Sequence, residues 1–306
     1  MENGLILALD LGGTKLASAT FDQNGSILSN YQVMVSGNSD AVGAQILKAL
    51  DHHRLLAENA GSSIQAIGIA VPGIYYEKTG TVWAPNIPGW EAYPLKEQIE
   101  DYLGDHSIPV KIDSDRACYI LGEYWKGVAQ DCRYAIYLAV GTGIGAGILI
   151  DGKVLRGSQD IAGAIGWMSL KPDFQKPYTQ YGCFEYHASG QGISIQAADH
   201  YKSTAAVFAG YEKGEERAKK IIDEAILMWG QATANLVSLF NPEMIIFGGG
   251  VFGPAVKYID RIYEEACRWA QPVSIRQVKF LPSSLGDRVA LYGAAYLAGT
   301  KITPEQ

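Results

Sequence analysis

The sequence predicts an α/β protein of two domains whose sheets are covered by helices, and three observations carry that prediction. Apolar strands alternate with helical stretches along the chain. A strand, a turn of Asp10, Leu11, Gly12, Gly13, Thr14 and Lys15, and a second strand span Leu5 to Phe21. The same plan recurs from Tyr134 to Lys153 around Gly141-Thr142-Gly143-Ile144-Gly145-Ala146-Gly147, and a third cluster, Gly248 to Gly250, follows the strand Met244 to Phe247. Such a repetition implies two related halves facing one another across a cleft.

Taken in order, strands are expected at residues 4–9, 15–21 and 26–35, with a turn at Asp22 to Gly25 closing the first unit. Ser39 to Asn59 has helical spacing through Ala41, Ala44, Ile46, Leu47, Leu50 and Leu55. Strands follow at 65–71 and 109–112, then a helix that ends near Glu123, then strands at 133–140 and 144–150 with a turn at Asp151-Gly152. Glu215 to Phe240 is the clearest helix, since Ala218, Ile221, Ile222, Ala225, Ile226, Trp229, Leu236 and Leu239 recur at three- and four-residue steps. Asn241-Pro242 stops it, because proline cannot continue a helix. A strand at 244–248, a helix from Pro254 to Trp269, a strand at 277–281 and a helix from Val289 to Lys301 complete the chain. The domain break is placed at Asp113: residues 1–113 with the C-terminal stretch 289–306 form the smaller domain, and residues 114–288 the larger.

The 306 residues suffice for two ordinary cores, and 48% hydrophobic with 19% charged residues is a soluble, globular composition. A net charge of −7 with no Lys/Arg cluster disfavours nucleic acid as a partner. No apolar run approaches the ~18 residues that span a bilayer, and no basic n-region of a signal peptide precedes the first strand. Cys118, Cys132, Cys183 and Cys267 are scattered without a CxxC pair, the pattern of reduced, cytoplasmic thiols.

The glycine turns carry the chemistry. Two glycines followed by Thr and Lys let backbone amides converge on an anion without Cβ obstruction. Asp10, at the end of the first strand, is placed to hold a water-bound cation beside that anion. The spacing is not that of a Walker loop, and a plain Gly-Gly hairpin is the competing reading of this segment alone. With its second copy and the third cluster, it reads as a nucleotide cradle.

In this order, DLGGTK at 10–15, VPG at 71–73, APNIPGW at 84–90, LGE at 121–123, GTGIGAG at 141–147, GGGV at 248–251 and YGAA at 292–295 resemble the ROK family of sugar kinases, members of the actin-like ATPase superfamily. The resemblance implies two actin-like (ribonuclease H-like) α/β domains with an interdomain cleft. It implies ATP phosphates held by Asp10, Gly12, Gly13, Thr14, Lys15, Gly141, Thr142 and Gly143, and adenosine bordered by Gly248, Gly249 and Gly250. Family members that repress transcription carry an added N-terminal helix-turn-helix, for which a phosphate turn starting at residue 10 leaves no room. The family's Glu-Asn-Asp reads Asp113-Ser114-Asp115 here, which places Asp115 as the base that accepts the sugar hydroxyl's proton. Ser114 or Asp115 also suits a helix N-cap, and the two roles can coexist. Asp113 is assigned no part in the chemistry. Domain closure about residues 113–115 is expected to exclude water.

The chain departs from the family in two segments. The Glu-Ile-Gly-His segment reads Ala164-Ile165-Gly166-Trp167, and of the Cys-x-Cys-Gly-x-x-Gly-Cys-x-Glu segment only Gly182, Cys183 and Glu185 stand in place. Structural zinc takes four ligands, and with one of the family's four left, no structural zinc is expected. Tyr178, Tyr181, Phe184 and Trp167 are expected to pack in its stead. On the sugar side the resemblance implies Gly73, Asn86, Ser114, Asp115, Trp167 and Glu185 as contacts, with Asn86 alternatively a loop-stabilising side chain. Losing a carboxylate and an imidazole at 164 and 167 removes bonds that a free anomeric hydroxyl would want, and Trp167 offers a flat face for stacking or, alternatively, core packing.

The expectation is therefore an ATP- and Mg²⁺-dependent kinase, with Mg²⁺ reached by Asp10 through water, acting on the primary 6-hydroxyl of a hexose or hexose derivative, C1-substituted or otherwise unlike plain glucose. Its partners would be that small sugar and a second copy of the chain in a homodimer, with no membrane and no nucleic acid. A catalytically silent sugar-sensing protein of the same fold is the main alternative, and a sugar-independent ATPase a third.

Overall fold

The computed structural model describes residues 4–37, 39–104 and 107–299. The chain divides into two compact units, one built from residues up to 130 with 156–161 and 287–299, the other from 131–155 with 162–286.

The first unit contains β1 (Gly4–Leu11), β2 (Lys15–Phe21), β3 (Ile27–Met34), α1 (Ser39–Asn59), β4 (Ser63–Val71), a small hairpin of β5 (Ile74–Tyr76) and β6 (Thr81–Trp83), α2 (Leu95–Leu103), β7 (Val110–Ser114) and α3 (Asp115–Lys126). Its five-stranded sheet runs β3-β2-β1-β4-β7, antiparallel over the first three strands and parallel from β1 to β7. Parallel strands buried on both faces read as continuous apolar runs, which β1 and β4 do. One face packs Leu7, Leu9, Ile67 and Ile69 against Ile46 and Leu50 of α1 and Ile99 of α2. The short α2 follows Pro94 and ends at Gly104, whose φ of +62° is the left-handed close that glycine accepts without strain.

The second unit contains β8 (Ala135–Val140), β9 (Ile144–Ile150), β10 (Lys153–Val154), α4 (Tyr178–Tyr181), α5 (Cys183–Ala188), α6 (Gly190–Ala197), α7 (Thr204–Glu212), α8 (Glu216–Phe240), β11 (Met244–Gly248), α9 (Ile259–Trp269) and β12 (Lys279–Pro282). Its sheet runs β10-β9-β8-β11-β12, again antiparallel through the first three strands in sequence and parallel beyond. The repeated strand–turn–strand pattern thus reflects two sheets of one topology. The core centres on α8, where Trp229, Ala225 and Ile222 meet Phe247, Phe252 and Ile262. Asn241 closes α8 in the left-handed region at φ +44°, with its N–H on the Val237 carbonyl. The expected helix from Pro254 is a 3₁₀ stretch (Pro254–Tyr258) before α9 proper.

The last helix, α10 (Val289–Gly299), belongs to the first unit, as do residues 156–161. Residues 300–306, the end of the expected C-terminal helix, lie outside the described residues. α10 and α3 cover the second face of the first sheet, where Ala8, Ala19, Phe21 and Ala70 meet Cys118, Ala290, Leu291 and Ala294. That packing carries the first unit on to residue 130, so α3 and Asp115 lie in it rather than in the larger domain, and residues 113–115 fall within a unit rather than at its edge.

Candidate active site

Register across the first sheet assembles three carboxylates at one edge. Asp10 on β1 pairs with Ala70 on β4, and Ala70 pairs with Asp113 on β7, so the two aspartates share a row at the C-terminal ends of parallel strands. Ligands of open α/β sheets gather at such ends. β7 runs two residues past its expected end, then passes directly into α3. Ser114 is the last strand residue and the N-cap, its Oγ accepting from the Ala117 N–H at 3.3 Å. With Ser114 as the cap, Asp115 is not needed for it. Asp115 Oδ1 accepts from the Arg116 N–H at 2.7 Å, and Oδ2 accepts from the Tyr119 hydroxyl at 3.3 Å. Burial pushes the Asp115 carboxyl above its usual range, against the pull of Arg116 and these hydrogen bonds. A carboxylate held this way is a stronger base than one in water.

Asp10 accepts no hydrogen bond among the described residues, and its carboxyl is pushed up to about 7, first by burial, then by Asp115, with Lys15 pulling the other way. A half-buried carboxyl without a partner, beside a second carboxylate, is a donor set that a hydrated divalent cation fits. The folded-state value lies above the unfolded one of 3.8, so the folded chain holds the extra proton between about pH 4 and pH 7. Its contribution is therefore complete at low pH and lost as pH rises through 7, at most about 4 kcal/mol. Melting temperatures in a chelating buffer should fall by several degrees from pH 5 to pH 8, and Asp10→Asn should flatten that dependence.

The first turn is pinned by the Gly12 N–H on the Lys15 carbonyl at 2.8 Å, while the Thr14 carbonyl accepts from the Val35 N–H at 2.9 Å. Among the described residues the amides of Gly13 and Thr14 donate to nothing, and both residues are exposed. A Cβ on Gly13 would meet no atom within 4 Å, so the fold itself does not require glycine there. Gly73 differs, since its φ of +92° and a built Cβ 2.2 Å from the Trp83 carbonyl oxygen both demand glycine. Its own carbonyl accepts from Arg116 at 3.2 Å. Asn86 is exposed in a loop that backbone bonds between Ala84, Ile87 and Trp90 hold, and its side chain stabilises nothing there among the described residues.

In the second unit, the Gly141 N–H reaches the Gly143 carbonyl at 2.9 Å, and α6 donates its Gly190 and Gln191 amides to the carbonyls of Gly141 and Thr142 at 2.8 and 3.1 Å. The Thr142 and Gly143 amides have no acceptor among the described residues. Gly141 and Gly250 have open space where a Cβ would stand. Gly248 and Gly249 do not: a Cβ would lie 1.8 Å from the Tyr137 hydroxyl oxygen in one and 2.5 Å from the Val140 carbonyl oxygen in the other. Packing alone explains those two glycines. Glu185 Oε2 accepts from the Ile144 N–H at 2.6 Å, and burial raises its carboxyl while that bond lowers it.

Trp167 is 57% exposed, in a 3₁₀ turn beside Ala164, which removes it from the expected aromatic packing: its ring belongs to no core. The packing forms without it. Tyr178 and Phe184 are buried, Tyr181 lies against Tyr186, and the Tyr178 hydroxyl bonds His187 Nε2 at 2.7 Å. His187 faces Glu224 at 3.5 Å, and Glu224 pairs with Lys171. Sequence reasoning also missed Arg156, whose guanidinium pairs with Asp113 Oδ2 at 2.7 Å. No local pattern marks that contact, because its partners are far apart in the chain.

A family model described as "ROK family" matches residues 6–301. The glucokinase of Streptomyces coelicolor is 32% identical, covering 96% of this chain and 98% of its own. The N-acetyl-D-glucosamine kinase of Erwinia tasmaniensis is 26% identical over 96% and 99%. Among solved structures, a ROK family glucokinase from Streptomyces griseus in complex with glucose and AMPPNP superposes with a TM-score of 0.78 at 30% identity, covering 96% of this chain and 99% of that one. No helix among the described residues is long and apolar enough to cross a membrane.

Proposed function

The chain belongs to the ROK family, and from that premise we propose that it transfers the γ-phosphoryl group of ATP to the primary 6-hydroxyl of a hexose derivative. The observation that carries the reading is the carboxylate edge of the first sheet, where Ser114 caps α3 and leaves Asp115 available as a base. Phosphoryl transfer asks a protein mainly for positioning and charge neutralisation. Within the first unit, the unused amides of Gly13 and Thr14 would be donors for phosphate oxygens, with Lys15 adding charge; within the second, those of Thr142 and Gly143 are donors of the same kind. Gly250 leaves room beside the third strand end for the nucleoside. Magnesium, when bound with the nucleotide, neutralises charge on the transferring group, and Asp10 would hold it through water. Asp115 takes the proton from the attacking hydroxyl.

The acceptor is the finer part of the proposal. By the family resemblance, Ala164 and Trp167 take the place of a carboxylate and an imidazole that would bond a free anomeric hydroxyl, and an exposed indole suits stacking on a substituent at C1. Asn86 and Glu185 remain as polar contacts for ring hydroxyls. Cys118, Cys132 and Cys183 are buried free thiols, in keeping with a reducing cytoplasm, and we take the working form to be a homodimer, which sedimentation would check. An ATP-coupled screen of free hexoses, aminosugars, disaccharides and glycosides tests the assignment. Turnover that depends on a C1-substituted sugar is expected. Strong preference for free glucose would defeat the C1 assignment, and ATP use without any sugar would defeat the kinase.

Gly13→Val provides a check on the donor side. The side chain enters open space, so stability should stay within about 0.5 kcal/mol of the parent. The KM for ATP should rise about tenfold or more, because the valine side chain keeps a phosphate oxygen from the turn amides and weakens one charge-assisted hydrogen bond.

A further inference from the structure

We propose that Arg156 is a positioning residue for Asp115, acting through Asp113; the assignment rests on the kinase reading above. Asp113 has a side chain only 6% exposed, and the Arg156 side chain that pairs with it at 2.7 Å is 34% exposed. A buried carboxylate is costly unless it is paired and hydrogen-bonded. Asp113 is both: Oδ2 meets the guanidinium, and Oδ1 accepts from the Ser114 N–H at 2.8 Å. That second bond fixes the peptide joining Asp113 to the cap residue. Ser114 then sets the first turn of α3, and Asp115 is the next residue along. The direction in which the chain leaves β7, and with it the placement of the Asp115 carboxylate, is therefore set by a side chain that arrives from 43 positions further along the sequence.

Arg156 opens the segment 156–161, which belongs to the first unit although the chain on either side of it belongs to the second. An apolar pair of similar volume would hold such a segment at less desolvation cost. An ion pair does something an apolar pair cannot: the guanidinium offsets the buried charge at one carboxylate oxygen, while the other stays on the backbone of the residue that caps α3. Small displacements matter here, since a shift of about 1 Å in a reacting group can cost about a hundredfold in rate.

Steady-state kinetics and thermal melts on Arg156→Met, Arg156→Lys, Asp113→Asn and the Asp113→Asn/Arg156→Met double variant, with ATP and the best acceptor from the screen, test the proposal. Arg156→Met should lower kcat about 10- to 100-fold while the KM values for ATP and sugar stay within about threefold. Arg156→Lys, which keeps the charge, should recover most of that loss, and the double variant should fall no further than Arg156→Met, because both changes remove one linkage. Should Arg156→Met fail to fold, Asp113→Asn keeps a neutral hydrogen-bonding group and reads the same split between kcat and KM. A lower melting temperature with kcat within about threefold of the parent in the folded variants would reduce the pair to a structural role and overturn the proposal. A sugar KM raised more than about tenfold at unchanged kcat would overturn it too, making Arg156 a substrate contact. A parent protein that phosphorylates no sugar is a different outcome, visible before any variant is made, and removes the kinase reading together with this one.

Discussion

Asp115→Asn should lower kcat by about a thousandfold and leave sugar binding close to that of the parent. General-base catalysis is worth about 10² to 10⁴ in rate, and Asp115 is the carboxylate that the strand–helix junction leaves available. The amide keeps one oxygen to accept from the Arg116 N–H or the Tyr119 hydroxyl, so the local geometry should survive. The cap of α3 does not depend on it, because Ser114 Oγ provides that bond. Stability should hold or rise, since burial already disfavours the ionised form of this group. Calorimetric sugar binding beside steady-state turnover checks all of this. A variant retaining more than about a tenth of the parent rate would remove Asp115 from the role of base.

Gly293→Val should abolish soluble, folded protein, or at least cost more than about 3 kcal/mol, the upper end of ordinary overpacking. A Cβ at Gly293 would stand 1.8 Å from the Cys118 carbonyl oxygen, and that atom is helix backbone with no freedom to swing aside. The contact is one of three along α10. A Cβ on Gly122 of α3 would lie 2.3 Å from the Val289 carbonyl oxygen, and one on Gly68 of β4 would lie 1.9 Å from that of Ala294. Three glycines thus let α10 close against both α3 and the sheet, and valine adds two further carbons where one already fails. Urea or thermal unfolding of whatever soluble protein remains is the measurement. Wild-type stability in this variant would mean that α10 does not sit so close. The comparison with Gly13→Val is instructive: the same substitution is expected to be harmless to the fold where open space surrounds the glycine.

That contrast also shows how much of the molecule the sequence made legible. The glycines of DLGGTK and YGAA are equally visible in one dimension. Only the surroundings separate Gly13, around which nothing packs, from Gly293, on which two helices depend. The same holds for the third cluster, where Gly248 and Gly249 answer to Tyr137 and Val140 and Gly250 to neither. α1 and α8 could be read to within a residue of their ends, because their apolar spacing is long and regular. α2 and α7 are short, and their few buried residues give no such signal. Trp167 could be read either way, as a core residue or an open ring, since an indole's neighbours are not written beside it.

By itself the sequence determined the class of fold, the two glycine-rich turns, the strand end that carries Asp10 and the Asp113-Ser114-Asp115 junction. All of these are local patterns, set by side-chain periodicity and by the backbone freedom of adjacent residues. Tertiary structure alone decided that α3 shares a unit with α10, that Ser114 rather than Asp115 caps the helix, that Trp167 is exposed, and that Arg156 holds Asp113. Three of these depend on chain segments far apart in sequence, and the cap on a rotamer choice between neighbours that both suit it, so no periodicity could announce them.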